Sequence, residues 1–416
     1  MADGLTNDDL ANDDLAPEQF LPCFRSRRMN QWSLGVDGHS QVQRDLVGRP
    51  IGRPAIRRLI QSMRDAMSRR SRQPKVMVSE WSEDFLQVIH QFKPERGDRI
   101  LVNTTDDFVM LGLANALQRC RKEHPLQIDV IFHFALYAAD QIDRRAIAFG
   151  RQVNDALTRV QPHQVSLFAT TKSLTRQLEN VGITAAPVPY PTRRRKVVPE
   201  STEVNRPLKI LMAGMPRAEK GREQISTVLS SIHDPYLTSR QFTFSMQMRP
   251  KGWKHLIPGP LHSDYVAAVS DKKSTDTALE IVSSNLPGDK YHQWLSTADV
   301  GLFLYDPVRY VARCSGVLLE MFVRGVPVIV PEGCWLADQV QAAGGDGSVG
   351  YIYERIDQIP RLLSQVRIEH AGLRRRAVEF ASVIVERHSG ENTMRTIGLG
   401  QGQIQNRVGR LSRMAS

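Results

Sequence analysis

The chain has 416 residues, more than a single hydrophobic core usually holds, so its length predicts two domains. A hydrophobic content of 41% and a charged content of 24% are those of an ordinary soluble globular protein. No apolar run reaches the ~20 residues that span a bilayer, and the acidic amino terminus lacks the basic and apolar regions of a secretory signal. Together with four scattered cysteines, which read as reduced thiols, these features argue against a membrane-spanning or secreted protein and predict a cytoplasmic one.

The first residues of the chain have the composition of a mobile segment. Residues 1 to about 45 combine Asp, Asn, Gly and Gln with little periodicity, which predicts a disordered acidic leader over 1–45.

Most of the net charge of +11 comes from the segment that follows. From Arg44 to Lys75, nine Arg and one Lys stand against Asp45 and Asp65, which leaves a local charge of +8. Apolar residues recur there at helical spacing, so we expect a helix with arginines on its other face. The helix can be a solvated one packed on its domain, or it can contact the anionic inner face of a membrane. Binding of nucleic acid is disfavoured, because aromatic residues and reader motifs are missing.

A first series of strands and helices predicts an N-terminal α/β domain over 46–195. Apolar strands that alternate with helices indicate a parallel sheet covered on both faces. The expected strands are Arg99–Thr105, Gln127–Phe134, Gln164–Thr171 and a short one near "APVPYP".

A second series predicts another α/β domain over 206–398. The segment from Pro189 to Pro207 is polar, contains prolines and lacks periodicity, so it is the predicted linker between the two domains. The expected strands beyond it are Leu208–Met215, Phe242–Arg249, "ALEIVSS", Asp299–Asp306 and Val326–Val330. A long arginine-rich helix follows them, and residues 399–416 are expected to be a flexible tail.

The loop "AGMPRAEKGR" leaves the first strand of the second series. In open α/β sheets, ligands bind beyond the carboxyl ends of the strands. Gly214 allows a tight turn there, and Arg217 and Lys220 can embrace a diphosphate at the start of the helix expected from Gly221. The loop is not a P-loop, because the paired glycines and the Lys-Ser/Thr ending are missing. A solvated turn is the alternative interpretation.

A second exit loop follows the strand that ends at Asp306. Ser315 is the expected N-cap of the next helix, and the amides of Gly316 and Val317 can face a phosphate with the helix dipole behind them. Glu320 lies about one turn further on, where a carboxylate can accept two ribose hydroxyls. Its apolar neighbours predict partial burial, and a buried carboxylate needs partners. A solvated glutamate in the first turn of a helix is the alternative.

These motifs resemble a known family. "GMPRAEKG", "YHQWLSTADVGLFLYD" and "YVARCSGVLLEMFVRGVPVIV" look like the donor-binding half of GT-B glycosyltransferases, in the retaining group that includes glycogen and sucrose synthases. The resemblance implies two Rossmann-like open parallel-sheet domains that face each other across a cleft. It also implies that the N-terminal domain takes the acceptor and the C-terminal domain takes a nucleotide sugar.

The resemblance further implies a reaction and a set of site residues. The reaction is metal-independent transfer of a sugar from a nucleoside diphosphate sugar to a hydroxyl of a glycan, a lipid-linked molecule or a small molecule, as in carbohydrate biosynthesis. The transfer is expected to retain the anomeric configuration of the sugar. No cofactor is expected beside the nucleotide sugar, and neither a metal site nor a nucleic-acid partner is expected. The implied catalytic residues are His133, Arg217 and Lys220, and the implied donor-binding residues are Gly214, Tyr310, Arg313, Ser315, Gly316, Val317 and Glu320.

One position departs from the family pattern. The family carries a second glutamate eight residues before the ribose-binding one, and Ala312 stands at that position here. A non-catalytic GT-B-like protein that binds a sugar or a nucleotide is therefore the alternative function. For His133, at the carboxyl end of the strand "DVIFHF", an ordinary structural role is the alternative to a place near the reacting sugar.

Overall fold

The computed structural model describes residues 74–120, 124–138, 141–193, 206–248, 254–269, 277–283 and 285–398. These residues belong to one compact unit that spans 72–399. The predicted leader, the basic segment up to residue 73 and the predicted tail from residue 399 onward lie outside the described residues.

The first sheet has four parallel strands in the order β1-β2-β3-β4. They are β1 Arg99–Thr105, β2 Gln127–Phe132, β3 Gln164–Ala169 and β4 Ala186–Pro187. The helices of this part are α1 Pro74–Phe92, α2 Asp107–Arg119, α3 Arg144–Thr158 and α4 Lys172–Asn180. Helix α1 packs closely on α2, because a Cβ placed on Gly112 would lie 2.4 Å from Cβ of Trp81. The side chains of Asp106, Asp143 and Thr171 cap α2, α3 and α4, which explains where these helices begin.

The second sheet has six parallel strands in the order β10-β9-β8-β5-β6-β7. They are β5 Leu208–Met212, β6 Phe242–Met248, β7 Leu279–Ser283, β8 Val300–Leu302, β9 Val328–Pro331 and β10 Gly350–Tyr353. The chain moves from β5 outward to β6 and β7, then returns to the other side of β5 to form β8. The strand order therefore reverses between β5 and β8, and ligands bind at such a reversal in open α/β sheets.

Helices cover both faces of the second sheet. They are α5 Ile225–Ile232, α6 His262–Val269, α7 Gly288–Leu295, α8 Pro307–Tyr310, α9 Gly316–Phe322, α10 Trp335–Ala342 and α11 Ile359–Arg387. The last helix, α12 Gly390–Thr396, lies against the first part instead. Side chains alternate between two cores along β5, with Ile210 and Met212 in one core and Leu211 in the other. This alternation explains why the strands of the second series are apolar without interruption.

The end of the described chain returns to the first sheet. Ile397, just beyond α12, packs in one apolar cluster with Ile131, Phe168 and Val188. Arg99 donates hydrogen bonds to the carbonyl oxygens of Ile397 at 2.6 Å and Gly398 at 3.1 Å. The two parts are thus joined by the linker after β4 and by this return.

The predicted fold class, two Rossmann-like α/β parts with open parallel sheets, is confirmed. The exact domain boundaries, 46–195 and 206–398, stay predictions. Some elements are shorter than expected: β5 ends at Met212, and two short 3₁₀ turns precede the helix predicted from Gly221, which begins at Ile225. Among the helices in the described part of the chain, none combines the length and apolar character needed to cross a membrane.

Candidate active site

The loop after β5 holds Gly214 in a left-handed backbone conformation. Gly214 has a φ of +83°, which glycine adopts without a steric penalty. Its amide donates to Oε1 of Gln247 at 3.1 Å, and the buried Gln247 donates from Nε2 to the carbonyl of Ser283 at 3.2 Å. A Cβ on Gly214 would lie only 2.6 Å from Nζ of Lys220. The lysine ammonium therefore lies directly over the glycine backbone.

Lys220 is a half-buried cation. Its Nζ lies 5.2 Å from the ring centre of Tyr305, which is a cation–π contact. Burial lowers the pKa of Lys220, and the neighbouring charges of Arg217 and Arg313 act in the same direction. Within the described ranges, no carboxylate forms an ion pair with Lys220. A positive charge held in this way favours an incoming anion.

Arg217 adds a second cation to the same loop. Its side chain is 56% exposed, and its ion pair with Glu219 is long, at 3.8 Å. Such a contact contributes little and leaves the guanidinium able to bind a ligand. The loop is tied to the exit of β8 by a hydrogen bond from the amide of Asp306 to the carbonyl of Glu219 at 3.1 Å. The structure thus brings the two predicted loops together at the β5 and β8 strand ends.

The start of α9 faces the β5 loop. Ser315 caps this helix, as the sequence predicts, by accepting a hydrogen bond from the amide of Leu318 at 3.3 Å. A Cβ on Gly214 would lie 3.8 Å from Cγ2 of Val317, which shows how near the two loops are. The first amides of α9 are therefore close to the ammonium of Lys220, and both favour a phosphate at this place.

Glu320 is held by groups that the sequence analysis did not identify. The hydroxyl of Tyr291, on α7, donates to Oε2 of Glu320 at 2.9 Å. Arg324, which is 1% exposed, donates to the carbonyl of Glu320 at 2.6 Å, and its Nη2 lies 3.0 Å from Nδ1 of His292. Glu320 itself is half-buried, as predicted. This network orients the carboxylate toward a defined position, which suits a ligand for vicinal hydroxyls.

Tyr310, the last residue of α8, and Arg313 lie in the connection between β8 and α9. The rings of Tyr305 and Tyr310 pack with centres 4.4 Å apart and planes tilted by 42°, and burial raises the pKa of Tyr310 to about 12. The guanidinium of Arg313 lies 5.1 Å from the ring centre of Tyr310 and 5.0 Å from that of Phe134. Tyr310 is 2% exposed and Arg313 packs on its ring, so Arg313 is the more accessible of the two.

His133 lies just beyond β2 and faces the second sheet. Its Nε2 donates to the carbonyl of Asn103, so in the neutral ring Nδ1 is the acceptor. Burial lowers the pKa of His133 to about 4, and Arg313 contributes in the same direction. The ring packs edge-on against Tyr190 at 5.4 Å, and Tyr190 lies 3.5 Å from the position of a Cβ on Gly316. The neutral imidazole is therefore separated from the start of α9 by one aromatic ring.

Ala312 lies at the contact between the two parts. It is fully buried, and its carbonyl accepts a hydrogen bond from Oγ1 of Thr171 at 2.8 Å. A methyl side chain in this position cannot reach a donor sugar by hydrogen bonding. The backbone of Ala312 thus joins the exit of β3 in the first sheet to the connection that follows β8.

The predicted site residues form one constellation. Gly214, Lys220 and Val317 meet directly, Arg217 and Ser315 belong to the same two loops, and Gly316 is linked to His133 through Tyr190. Tyr291, Arg324 and Gln247 were missed by the sequence analysis, since nothing local marks them except an arginine four residues after Glu320 on one helix face. In the part of the chain that the structure describes, no three His, Cys, Asp or Glu side chains converge as a metal site.

Solved structures share this fold, although no family model and no curated protein sequence matches the chain. Sucrose-phosphate synthase from Thermosynechococcus elongatus matches with a TM-score of 0.50 and 13% identity over 80% of this chain and 78% of that one. Anabaena HepE, solved in complex with UDP, has a TM-score of 0.49 and 12% identity over 79% and 82%. TarM has a TM-score of 0.47 and 10% identity; the match covers 76% of this chain and 57% of TarM.

The fold is that of the GT-B glycosyltransferases. At these identities the likeness concerns the fold, and the activity has to be argued from the site residues themselves.

Proposed function

We propose that this protein is a glycosyltransferase that moves a sugar from a nucleoside diphosphate sugar to a hydroxyl acceptor, with retention of configuration at the sugar. The observation that carries the proposal is the meeting of the β5 and β8 exit loops. There, Lys220 lies over Gly214 without a carboxylate partner among the described residues, close to the first residues of α9. This arrangement is suited to an anionic ligand with two phosphates, one for each cation of the β5 loop.

The donor half of the mechanism uses electrostatic stabilisation. When the bond between the sugar and the diphosphate breaks, negative charge grows on the departing phosphate. Arg217 and Lys220 stabilise that charge most when it is fully developed, which accelerates departure. Glu320, oriented by Tyr291, binds the ribose hydroxyls and fixes the nucleotide. The proposal includes metal independence, because these two cations supply the positive charge that a divalent ion would bring.

The acceptor half involves His133. Because burial holds its pKa near 4, the imidazole is neutral at pH 7, and its Nδ1 can accept a hydrogen bond. We assign it to a hydroxyl next to the reacting centre, which it orients for attack. The acceptor proton leaves with the departing phosphate, which becomes more basic as its bond to the sugar breaks.

Nucleotide binding is the first test. Thermal unfolding is measured with UDP, GDP, ADP and dTDP, because a ligand that binds only the folded state raises the melting temperature. One nucleotide is expected to raise the melting temperature of the wild type. In the Arg217→Ala and Lys220→Ala variants, most of this rise should be lost. Release of the same nucleotide from its sugar donor, unchanged by EDTA, then tests transfer and metal independence. No stabilisation by any of the four would contradict the proposal.

A non-catalytic sugar- or nucleotide-binding protein is the second candidate. It is favoured by one observation, the buried methyl group of Ala312 at a position where the resembling family carries a carboxylate. The two candidates differ in turnover. Tight nucleotide-sugar binding without release of nucleotide, over a broad panel of donors and acceptors, would select the binding protein.

A glycan or lipid-linked acceptor is part of the proposal, and so is peripheral contact with the inner membrane face through Arg44 to Lys75. The support for membrane contact is the local charge of +8 in the sequence, since this segment lies outside the described residues except for its last two. Sedimentation with vesicles tests it. Binding is expected to anionic vesicles and not to neutral ones, and to fall steeply with added salt.

A further inference from the structure

Arg313 lies between two aromatic rings, one from each α/β part of the protein. Its guanidinium lies 5.0 Å from the ring centre of Phe134, which directly follows His133, and 5.1 Å from that of Tyr310. Aromatic faces attract a cation and orient a planar guanidinium, but they leave its charge in place. Arg313 is therefore a fixed positive charge at the junction of the two parts of the protein.

The surroundings of Arg313 do not neutralise it. Among the residues that the structure describes, no carboxylate forms an ion pair or hydrogen bond with this guanidinium. The charged groups that act on the neighbouring Lys220 include Arg217 and Arg313, opposed by Glu219 alone among carboxylates. Around Lys220, Arg217 and Arg313 thus stand against Glu219, while the other carboxylate of the site, Glu320, accepts the hydroxyl of Tyr291. Half-buried charge without a counter-ion is unfavourable in the empty protein, and an anionic ligand removes this penalty.

A diphosphate accounts for only part of this charge. Each of its two phosphates carries one negative charge in a nucleotide sugar, and Arg217 and Lys220 of the β5 loop match them. Arg313 comes from the other loop and contacts Phe134, beside the histidine assigned to the acceptor side. Its place in the site is that of the sugar and the acceptor, where a neutral substrate would leave the third cation unpaired.

We propose that Arg313 binds an anionic substituent, a carboxylate or a phosphate, on the transferred sugar or on the acceptor. The inference rests on the proposed function and names its substrate class: the enzyme handles acidic sugars. The guanidinium fork can form two parallel hydrogen bonds to a carboxylate or a phosphate, which gives the preference its geometry. The two aromatic rings hold the fork before the ligand arrives, so little side-chain freedom is lost on binding.

Three variants isolate the effect. Arg313→Gln removes the charge, and Arg313→Lys keeps it without the fork. Arg309→Gln is the matched control, because Arg309 is an exposed arginine of the same loop. Circular dichroism and thermal unfolding establish that each variant is folded. If Arg313→Gln fails to fold, the comparison of Arg313→Lys with the wild type carries the test, since loss of the fork alone weakens bidentate recognition.

The first experiment tests whether the anion is on the donor, and we call it the donor arm. Calorimetry measures the affinity for the bare nucleotide selected in the thermal screen and for two of its nucleotide sugars, one neutral and one acidic. For uridine this pair is UDP-glucose and UDP-glucuronate. If the anion is on the donor, the wild type prefers the uronate about tenfold or more. Arg313→Gln then loses this preference while its affinity for the bare nucleotide stays within about twofold, and the Arg309 control behaves as wild type.

The acceptor arm uses methyl glucoside and methyl glucuronide, with glucose 6-phosphate as the phosphorylated probe, in the presence of the bare nucleotide. Binding is measured by ligand-detected NMR. If the anion is on the acceptor, the wild type binds an acidic probe about tenfold more tightly than the neutral one, and Arg313→Gln removes the difference.

Two outcomes overturn the inference while the proposed function survives. One is the absence of any acidic preference in both arms. The other is a loss of bare-nucleotide affinity with Arg313→Gln as large as that with Lys220→Ala, which would place Arg313 on the diphosphate. A wild type that binds no nucleotide contradicts the proposed function itself, and this inference falls with it.

Discussion

Replacing Lys220 with methionine separates the effect of this cation in the empty protein from its effect on a bound diphosphate. Methionine keeps most of the length and apolar contact of the lysine stem and removes the charge. The ammonium lies beside the Tyr305 ring, where burial lowers the pKa of Lys220. Its charged form is thus less stable there than in water. We therefore expect the unliganded variant to be at least as stable to urea as the wild type.

The effect on nucleotide binding has the opposite sign. A hydrogen bond to a charged group is worth about 1.5–3 kcal/mol, so loss of the ammonium raises Kd by about 10- to 150-fold. A nucleotide present at a concentration 100 times its Kd stabilises the wild type by about 2.7 kcal/mol. At that same concentration it stabilises the Lys220→Met variant by only about 0.3 to 1.4 kcal/mol.

Urea unfolding with and without the nucleotide measures both effects in one experiment. Lys209→Met is the matched control, because Lys209 lies near the amino end of β5, the strand that leads to the Lys220 loop, with its Nζ 3.1 Å from Oε2 of Glu280. It should retain the full nucleotide-dependent stabilisation. If the nucleotide stabilises the Lys220 variant and the wild type equally, Lys220 does not contact the diphosphate and the reasoning is refuted.

Three further predictions concern the groups around this cation and the fold that carries it. Tyr291→Phe removes the hydroxyl that donates to Glu320, so nucleotide affinity should fall by roughly 2- to 13-fold with unchanged binding of inorganic pyrophosphate, measured by calorimetry. Equal weakening of both ligands would contradict this assignment. Arg99→Ala leaves the Asp129 carboxylate, 2% exposed, buried without its cation and should lower the free energy of unfolding by about 3–5 kcal/mol in urea. A loss below about 1 kcal/mol would mean that the pair is effectively solvated. For His133, the pKa is near 4 in the folded protein and 6.5 in the unfolded chain. Its contribution to the free energy of unfolding is therefore complete above pH 6.5 and falls by about 1.4 kcal/mol per pH unit as the pH drops toward 4. The His133→Gln variant should therefore lose less stability than the wild type between pH 6.5 and 4.5, by up to about 2.7 kcal/mol, and identical profiles would place the imidazole in water.

The fold could be predicted because its signals are local. Continuous apolar runs such as "RILVNTT" and "LKILMAGM" stand between amphipathic stretches, and a parallel sheet is the structure that buries such runs on both faces. Helices with weak periodicity were missed. Helix α6, His262–Val269, buries only Tyr265, so its apolar spacing gave no prediction.

The candidate site was predictable only where its chemistry lies within one loop. Gly214 and Lys220 lie in the connection after β5, and Ser315 caps the helix that follows β8, so the sequence order alone placed them at strand exits. The supporting groups come from distant positions: Gln247 is 33 residues from Gly214, Tyr291 is 29 from Glu320, and Thr171 is 141 from Ala312. Such pairings depend on strand order and sheet packing, which a single sequence does not reveal.

The return of the chain to the first sheet affects how the protein is made. Domains usually fold during synthesis in the order in which they leave the ribosome. Here Ile397 completes the cluster around Ile131. The carbonyl oxygens that accept hydrogen bonds from Arg99 belong to Ile397 and Gly398, which are synthesised about 300 residues later. The first sheet to be synthesised is thus the last to be finished, and a nascent chain stalled before α12 exposes an apolar patch to chaperones.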